Sequence, residues 1–178
     1  KKRYWSKTDL AWMSIGYVTQ LTPIHTLTFY NGIANNGRMM KPRFVKAEID
    51  NGIVVREFPT EVIRDKMCSQ HTLDDIHDIL EKVVSKGLGK RAGNGGKYFK
   101  VSGKTGTAQN PHGDDHSIFM AFAPREDPKI AISVYVENAG FGATWAAPIA
   151  SLMIEKYLKG TITNTWREKQ ILDKDFIH

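Results

Sequence analysis

Residues 117–123, Ser-Ile-Phe-Met-Ala-Phe-Ala, are the feature that most restricts the fold of this chain. A short, nearly continuous apolar segment of this kind is typical of a strand buried on both faces. Segments that also suit strands lie on either side, so we predict three strands over residues 97–108, 117–124 and 129–138. Residues 125–128 supply the turn between the last two. The short connections indicate an antiparallel meander.

Helices are predicted on both sides of this meander in the sequence. Thr22 suits an N-cap and Pro23 the first helical position, and the Asn-Asn-Gly at residues 35–37 ends that helix. Thr72 and Asp75 resemble a capping box at the start of a second, strongly amphipathic helix. The apolar face of this second helix consists of Leu73, Ile76, Ile79, Leu80, Val83 and Val84, and Gly87 ends it. A third helix is predicted from about residue 144 to residue 158, with Gly160 after it.

Three further segments complete the predicted fold. Residues 12–19 suit a strand, and residues 42–58 suit a hairpin whose turn is Asp50-Asn51-Gly52. Residues 87–96 contain five glycines and are expected to form a mobile loop. The order of elements predicts the α+β class, with an antiparallel sheet flanked by helices.

Composition narrows the function only slightly. The formal net charge is +6 and the pI is near 9.4, which favours acidic partners, although a solvated basic surface is an equally good interpretation. The basic residues are concentrated, because no Asp or Glu occurs between Lys82 and Gly113. Cys68 is the only cysteine, so no internal disulfide can form. No apolar stretch is long enough to span a bilayer, and no signal peptide is visible.

Several binding motifs fail on their context. Gly103-Lys104-Thr105 is not the end of a phosphate loop, because Tyr98 stands at the position of that motif's first glycine. The stretch Gly87-x-Gly89-x-x-Ala92 follows a predicted helix, whereas a dinucleotide-binding fingerprint follows a strand. The basic stretch with Tyr98 and Phe99 is a weak hypothesis for nucleic-acid binding. A metal cluster of His112, Asp114, Asp115 and His116 competes with a solvated hairpin tip, which the sequence favours. We therefore expect no metal, cofactor or nucleic acid.

The segment Lys104-Thr105-Gly106-Thr107 has a more specific chemistry. A lysine ammonium attracts a carboxylate, and the hydroxyls of Thr105 and Thr107 can donate hydrogen bonds to it. Gly106 lets a substrate backbone lie close and pair as an added strand, and the N–H that follows can face a developing oxyanion. An ordinary antiparallel strand with an exposed lysine explains the same residues equally well.

The wider sequence resembles the class B penicillin-binding proteins, which are the D,D-transpeptidases that cross-link peptidoglycan. The matching stretches are Ile15-Gly16, Leu21-Thr22-Pro23, Ala34-Asn35-Asn36-Gly37, Met40-Lys41-Pro42-Arg43, Val101-Ser102-Gly103-Lys104-Thr105-Gly106-Thr107-Ala108-Gln109, Phe122-Ala123-Pro124 and Ala146-Ala147-Pro148-Ile149-Ala150. The resemblance implies the C-terminal part of a penicillin-binding-protein/serine β-lactamase-like transpeptidase domain. It also implies that Lys104, Thr105, Gly106 and Thr107 bind a D-Ala-D-Ala stem or a β-lactam, with the Thr107 N–H as an oxyanion donor. Residues 136–143 resemble the elongation-type enzymes more than the division-type.

One departure from the family matters. No serine of this sequence is followed by Lys three residues later or by Asn two residues later, so the family's S-x-x-K and S-x-N motifs are absent. We therefore interpret residues 1–160 as an incomplete transpeptidase domain and residues 161–178 as a tail. The longer protein that would include these residues is called the parent below. It is expected to be anchored on the extracytoplasmic face of the bacterial membrane, with a glycosyltransferase and scaffold proteins as partners. The chain alone is expected to be inactive, and a non-catalytic binding module is the alternative.

Overall fold

The computed structural model describes residues 5–97 and 99–176. The helices are α1 (Asp9–Met13), α2 (Pro23–Ala34), α3 (Gln70–Ser85), α4 (Ala146–Lys159) and α5 (Thr165–Leu172). The strands are β1 (Met39–Met40), β2 (Ala47–Asp50), β3 (Ile53–Glu57), β4 (Val62–Arg64), β5 (Ser102–Ala108), β6 (His116–Ala123) and β7 (Ile130–Val136), and a 3-10 helix (Leu88–Lys97) precedes β5.

The strands β5, β6 and β7 form an antiparallel sheet with β6 in the centre. Phe119, Ala121 and Ala123 pack against α4, whereas Phe122 points to the other face and contacts the layer of α2 and α3. All four side chains are fully buried. The prediction of a strand buried on both faces is confirmed, and so is the α+β class, because helices cover both faces of the sheet.

A smaller two-part unit, residues 38–66, projects from α2 and is called the arm below. In it β1 pairs with β4, and β2 pairs with β3 through the predicted turn. Asn51 and Gly52 at that turn have φ of 49° and 82°. A two-residue hairpin turn of this type requires positive φ at both central positions, which Asn and Gly tolerate. The predicted hairpin is confirmed.

The predicted boundaries of α2 and α4 are confirmed with one difference. Thr22 has the extended backbone of an N-cap, but its hydroxyl lies 2.7 Å from Nδ1 of His25 and caps no backbone N–H. Pro23 opens the helix. At the other boundary, Gly160 adopts φ of 76°, the left-handed conformation that ends many helices.

The start of α3 is one turn earlier than the capping box predicted. Ser69 is the N-cap, with extended backbone and a hydroxyl that accepts a hydrogen bond from the Thr72 N–H at 3.1 Å. Thr72 and Asp75 therefore lie inside the helix. The extended backbone at Ser69 and the hydrogen bond to its hydroxyl set the start of the helix there.

Three other expectations were wrong. Residues 12–19 form no strand, because the chain turns after α1, with Gly16 at φ of 96° and the Tyr17 N–H bonded to the Trp12 carbonyl. The glycine-rich segment forms the 3-10 helix, which is anchored by the fully buried Ala92. Consequently the first sheet strand begins at Ser102 rather than at residue 97. Within the predicted tail, residues 165–172 form α5.

The described part of the chain includes no helix that combines the length and the apolar character needed to cross a bilayer.

Candidate functional site

The segment Lys104-Thr105-Gly106-Thr107 lies on β5, which forms one edge of the sheet. Side chains alternate between the two faces of a strand, so Lys104 and Gly106 share one face while Thr105 and Thr107 share the other. The register supports this division, because Lys104 pairs with Met120 and Thr105 pairs with Phe119. Since no described strand covers the outer edge of β5, both sets border the same open side.

A cleft of about 730 Å³ follows this edge. Its size lies in the range of small-molecule sites. One wall is β5 with its extension to Gln109, and the opposite wall is the segment of residues 15–19 that follows α1. Leu88 of the 3-10 helix and Ile118 of β6 complete the lining. The cleft therefore joins three segments that are far apart in the sequence.

A hydrogen bond closes one end of the cleft. The Tyr17 hydroxyl donates to Oε1 of Gln109 at 2.6 Å, which ties the segment after α1 to the end of β5. Next to it, Val18 has φ of 72°. A left-handed conformation costs a β-branched residue about 1–2 kcal/mol, so surrounding contacts must hold this segment in place.

The charge of the cleft comes from Lys104. Its ammonium is exposed and donates to the carbonyl oxygen of Thr105 at 2.7 Å. None of the ion pairs formed among the described residues involves it. The cation is therefore free to attract a carboxylate at the mouth of the cleft.

The loop after β7 covers the side of β5 that faces away from Lys104. Gly142 approaches so closely that a Cβ built on it would lie 2.4 Å from the Gly106 carbonyl oxygen and 2.2 Å from that of Ile118. Only glycine fits there. A Cβ on Gly106 would lie 3.3 Å from the Cβ of Ile118, so this glycine also has a packing role besides the one predicted from the sequence.

Ser117 fixes this loop. Its buried hydroxyl donates to the Phe141 carbonyl at 2.9 Å and accepts from the Ala146 N–H at 3.1 Å. Ser117 pairs with Thr107 in the sheet register, so the fixation acts beside the site. The hydroxyl replaces the missing intrahelical partner of the first N–H of α4.

The β5 residues of the site were predicted from the sequence, whereas no role was predicted for Tyr17, Leu88, Ser117 or Gly142. The stretch Ile15-Gly16 was the one signal for the opposite wall, because it matched the family pattern close to Tyr17. For Leu88 and Ser117 no local pattern existed. Their part in the site depends on long-range packing.

The metal cluster considered from the sequence lies in the connection before β6 and at the first residue of β6. His116 accepts a hydrogen bond from the Asn138 N–H at 3.1 Å, and Asp115 accepts one from the Asn110 N–H at 3.3 Å. Across residues 5–97 and 99–176, no group of three or more His, Cys, Asp or Glu side chains could hold a metal ion. Tyr98, which belonged to the phosphate-loop and nucleic-acid hypotheses, lies outside the described residues.

This chain is similar to known proteins over most of its length. The family model described as penicillin binding protein transpeptidase domain matches residues 1–155. Peptidoglycan D,D-transpeptidase PbpA of Mycobacterium tuberculosis (strain CDC 1551 / Oshkosh) is 40% identical over 154 residues, which cover 79% of this chain and 30% of that protein. Stage V sporulation protein D of Bacillus subtilis (strain 168) is 32% identical over 154 residues, which cover 79% of this chain and 23% of that protein.

A similar fold is found in penicillin-binding protein A from M. tuberculosis, solved as an imipenem acyl-enzyme complex. The TM-score is 0.64 with 27% sequence identity, and the match covers 78% of this chain and 31% of that chain. The chain thus spans less than a third of the length of each of these proteins. It belongs to the penicillin-binding protein transpeptidase family, and the resemblance to the class B members of that family is confirmed.

Proposed function

We propose that this chain is the part of a peptidoglycan D,D-transpeptidase that binds the D-Ala-D-Ala end of a stem peptide, or a β-lactam, along β5. The observation that carries the proposal is the Lys104 ammonium, which has no carboxylate partner among the described residues and stands over a cleft of about 730 Å³. A relative that is 40% identical has the name D,D-transpeptidase, which supports the same activity.

The carboxylate of the ligand is assigned to Lys104, Thr105 and Thr107. The lysine supplies the charge, and the two hydroxyls supply directional hydrogen bonds from the opposite side of the strand. The ligand backbone pairs with the free edge of β5 as an added strand, which is a common mode of peptide recognition. Binding of the ligand carboxylate would compete with the bond from the lysine to the Thr105 carbonyl.

The Thr107 N–H is proposed as an oxyanion donor. In a regular strand, alternate residues direct their N–H and C=O groups to the same side, so Thr107 and Thr105 share a side. The Thr105 carbonyl is the one that Lys104 reaches. A fixed donor at that side would stabilise the negative charge that forms on the scissile carbonyl oxygen.

The nucleophile must come from a part of the protein outside these residues. None of the serines in this sequence has the spacing of S-x-x-K or S-x-N, and the residues that line the cleft include neither Ser nor Cys. In the proposed reaction, a serine oxygen of the parent forms an ester with the penultimate D-Ala and releases the terminal D-Ala. A second stem amine then takes the acyl group. Without the serine, the chain alone is inactive.

The cellular setting is part of the same proposal. The parent would act on the extracytoplasmic side of the membrane, with an anchor, a glycosyltransferase and scaffold proteins around it. An elongation role is proposed from residues 136–143. Protease treatment of spheroplasts that carry the parent tests the location: digestion without lysis agrees with it, and protection contradicts it.

Fluorescent penicillin labelling tests the activity. We expect the full-length parent to be labelled and the 178-residue chain to remain unlabelled. In the parent, Lys104→Ala should slow labelling about 10- to 100-fold, because a charge-assisted hydrogen bond contributes about 1.5–3 kcal/mol. Lys100→Ala is the matched control. It removes an equal charge from an exposed pair with Glu126 outside the cleft, so labelling should not change.

Equally slow labelling of both lysine variants would mean that only the net charge of the protein matters. That result would contradict the assignment of Lys104. Labelling of the isolated chain would disprove its inactivity. If neither protein is labelled, the proposed activity is wrong, and the binding-module alternative takes its place.

A further inference from the structure

A second cleft of about 220 Å³ lies between the 3-10 helix, the start of α4 and α5. It is lined by Arg91, Thr144, Trp145, Pro148, Trp166, Arg167 and Gln170. It shares no lining residue with the cleft along β5. Its lining residues thus include two arginines and two tryptophans.

The two arginines are held together without a counter-ion. Nη1 of Arg167 donates to the Arg91 carbonyl oxygen at 2.5 Å, which fixes the half-buried guanidinium of Arg167 beside the 3-10 helix. Burial lowers the pKa of Arg167, and repulsion by the Arg91 charge lowers it further. Within the part of the chain that the structure describes, no ion pair with a carboxylate includes either arginine.

The charges of two arginines that line one cleft repel each other, and an anion placed between them would relieve that repulsion. The planar fork of a guanidinium matches the oxygens of carboxylate and phosphate. The positive end of the α4 dipole lies at the same place, because α4 begins at Ala146 next to the lining residue Trp145.

The aromatic residues of the cleft indicate which kind of molecule would bear the anionic group. The Trp145 ring is fixed by an edge contact with Phe176, with centroids 5.1 Å apart, and Lys174 lies 5.9 Å from the centre of the Trp145 ring. Trp166 stands at the cleft with 71% of its surface exposed. Fixed and exposed indoles beside guanidinium groups suit a ring that offers an apolar face next to a charged substituent.

The stretch of the sequence without acidic residues contributes to both clefts. This stretch, from Lys82 to Gly113, supplies Lys104 to the cleft along β5 and Arg91 to this one. The fold brings Arg91 to Arg167, which is 76 positions away.

We propose that this cleft binds one carboxylate or phosphate group between Arg91 and Arg167, carried by a small saccharide ring that stacks on Trp166. The site is independent of the proposed transpeptidase activity, because it uses none of the same residues. Its volume limits the ligand to a single small group rather than an extended chain.

Titration of the 178-residue chain followed by tryptophan fluorescence tests the proposal, with N-acetylmuramic acid, N-acetylglucosamine and inorganic phosphate as probes. We expect the acidic sugar to change the emission, and Trp166→Phe to remove that change. The neutral sugar should bind at least about tenfold more weakly, because it lacks the anion that the guanidinium groups recognise. Response to inorganic phosphate as well would mean that the anion alone is sufficient, which agrees with the site.

Arg91→Gln should weaken binding of the acidic sugar about tenfold or more. The matched control is Lys90→Gln, which removes an equal charge from the same 3-10 helix at a residue that does not line the cleft. Circular dichroism verifies that both variants remain folded. Equal weakening by the two variants, equal affinity for the two sugars, or no response to any probe would overturn the proposal.

Discussion

The three-stranded sheet and the arm both contain large apolar side chains in or beside their strands, but they bury those side chains very differently. Phe122 in β6 has no exposed surface, whereas Phe44 in the arm is 86% exposed. Ile49 and Ile53 on the β2–β3 hairpin are also more than 60% exposed. Apolar character alone therefore did not decide which residues form the core.

Layering explains the difference. The strand β6 has a neighbour on each side and helices on both faces, so each of its apolar side chains finds partners. The hairpin β2–β3 has one pairing and no described layer above it. A lone two-stranded ribbon is at best marginally stable in water, so the arm depends on its attachment to α2.

The largest difference in stability between the sheet and the arm is expected when a phenylalanine is replaced in each. We expect Phe122→Ala to lower the free energy of unfolding by about 3–5 kcal/mol, because it leaves a cavity between the sheet and its helices. Phe44→Ala should change it by less than about 0.5 kcal/mol, because the ring is already in water. Urea unfolding followed by circular dichroism measures both. Similar losses in the two variants would show that the arm has a core of its own.

An intermediate effect is expected at Ser117, which connects the sheet to the loop beside the Lys104 cleft. Ser117→Ala leaves the Ala146 N–H and the Phe141 carbonyl without their partner, at a cost of about 1–3 kcal/mol. Thr60→Ala in the arm is the control, since Thr60 is exposed, and it should stay within about 0.5 kcal/mol. The same unfolding measurement is used. An unchanged midpoint for Ser117→Ala would mean that the loop is held by other contacts.

The smallest effect concerns pH and the C-terminal border of the core. Burial alone would raise the pKa of Glu155, but hydrogen bonds from Thr163 and Lys159 outweigh it and hold the pKa below its usual value of 4.5. A lowered pKa in the folded state stabilises the protein above pH 4.5, and this contribution is lost as the pH falls below that value. Glu155→Gln should therefore flatten the stability profile in this acidic window.

This contribution is measured by the unfolding midpoints of the unsubstituted 178-residue chain and of its Glu155→Gln variant. The two are compared at neutral pH and at successive pH values below 4.5. Thr163→Val removes one of the donors and should give a profile between the two. If all three chains lose stability in parallel on acidification, Glu155 makes no contribution of its own.

Local patterns predicted those elements whose stability is decided within a few residues. The Asn51-Gly52 turn, the proline start of α2 and the glycine end of α4 follow from backbone preferences that hold in any context. The capping box at Thr72 was wrong because the helix begins one turn earlier, with Ser69 as its N-cap. The prediction of a strand over residues 12–19 was wrong because it rested on their apolar character, which does not reveal the turn at Gly16.

By itself, the sequence determined the buried central strand, the helices around it and the Lys104-Thr105-Gly106-Thr107 segment with its family resemblance. These depend on hydrophobic patterns and on short motifs whose chemistry is local. Tertiary structure alone brought Tyr17 to Gln109 and Arg91 to Arg167, pairs that are 92 and 76 positions apart. Such encounters depend on how whole layers pack, and no local preference in a sequence encodes the final position of two distant side chains.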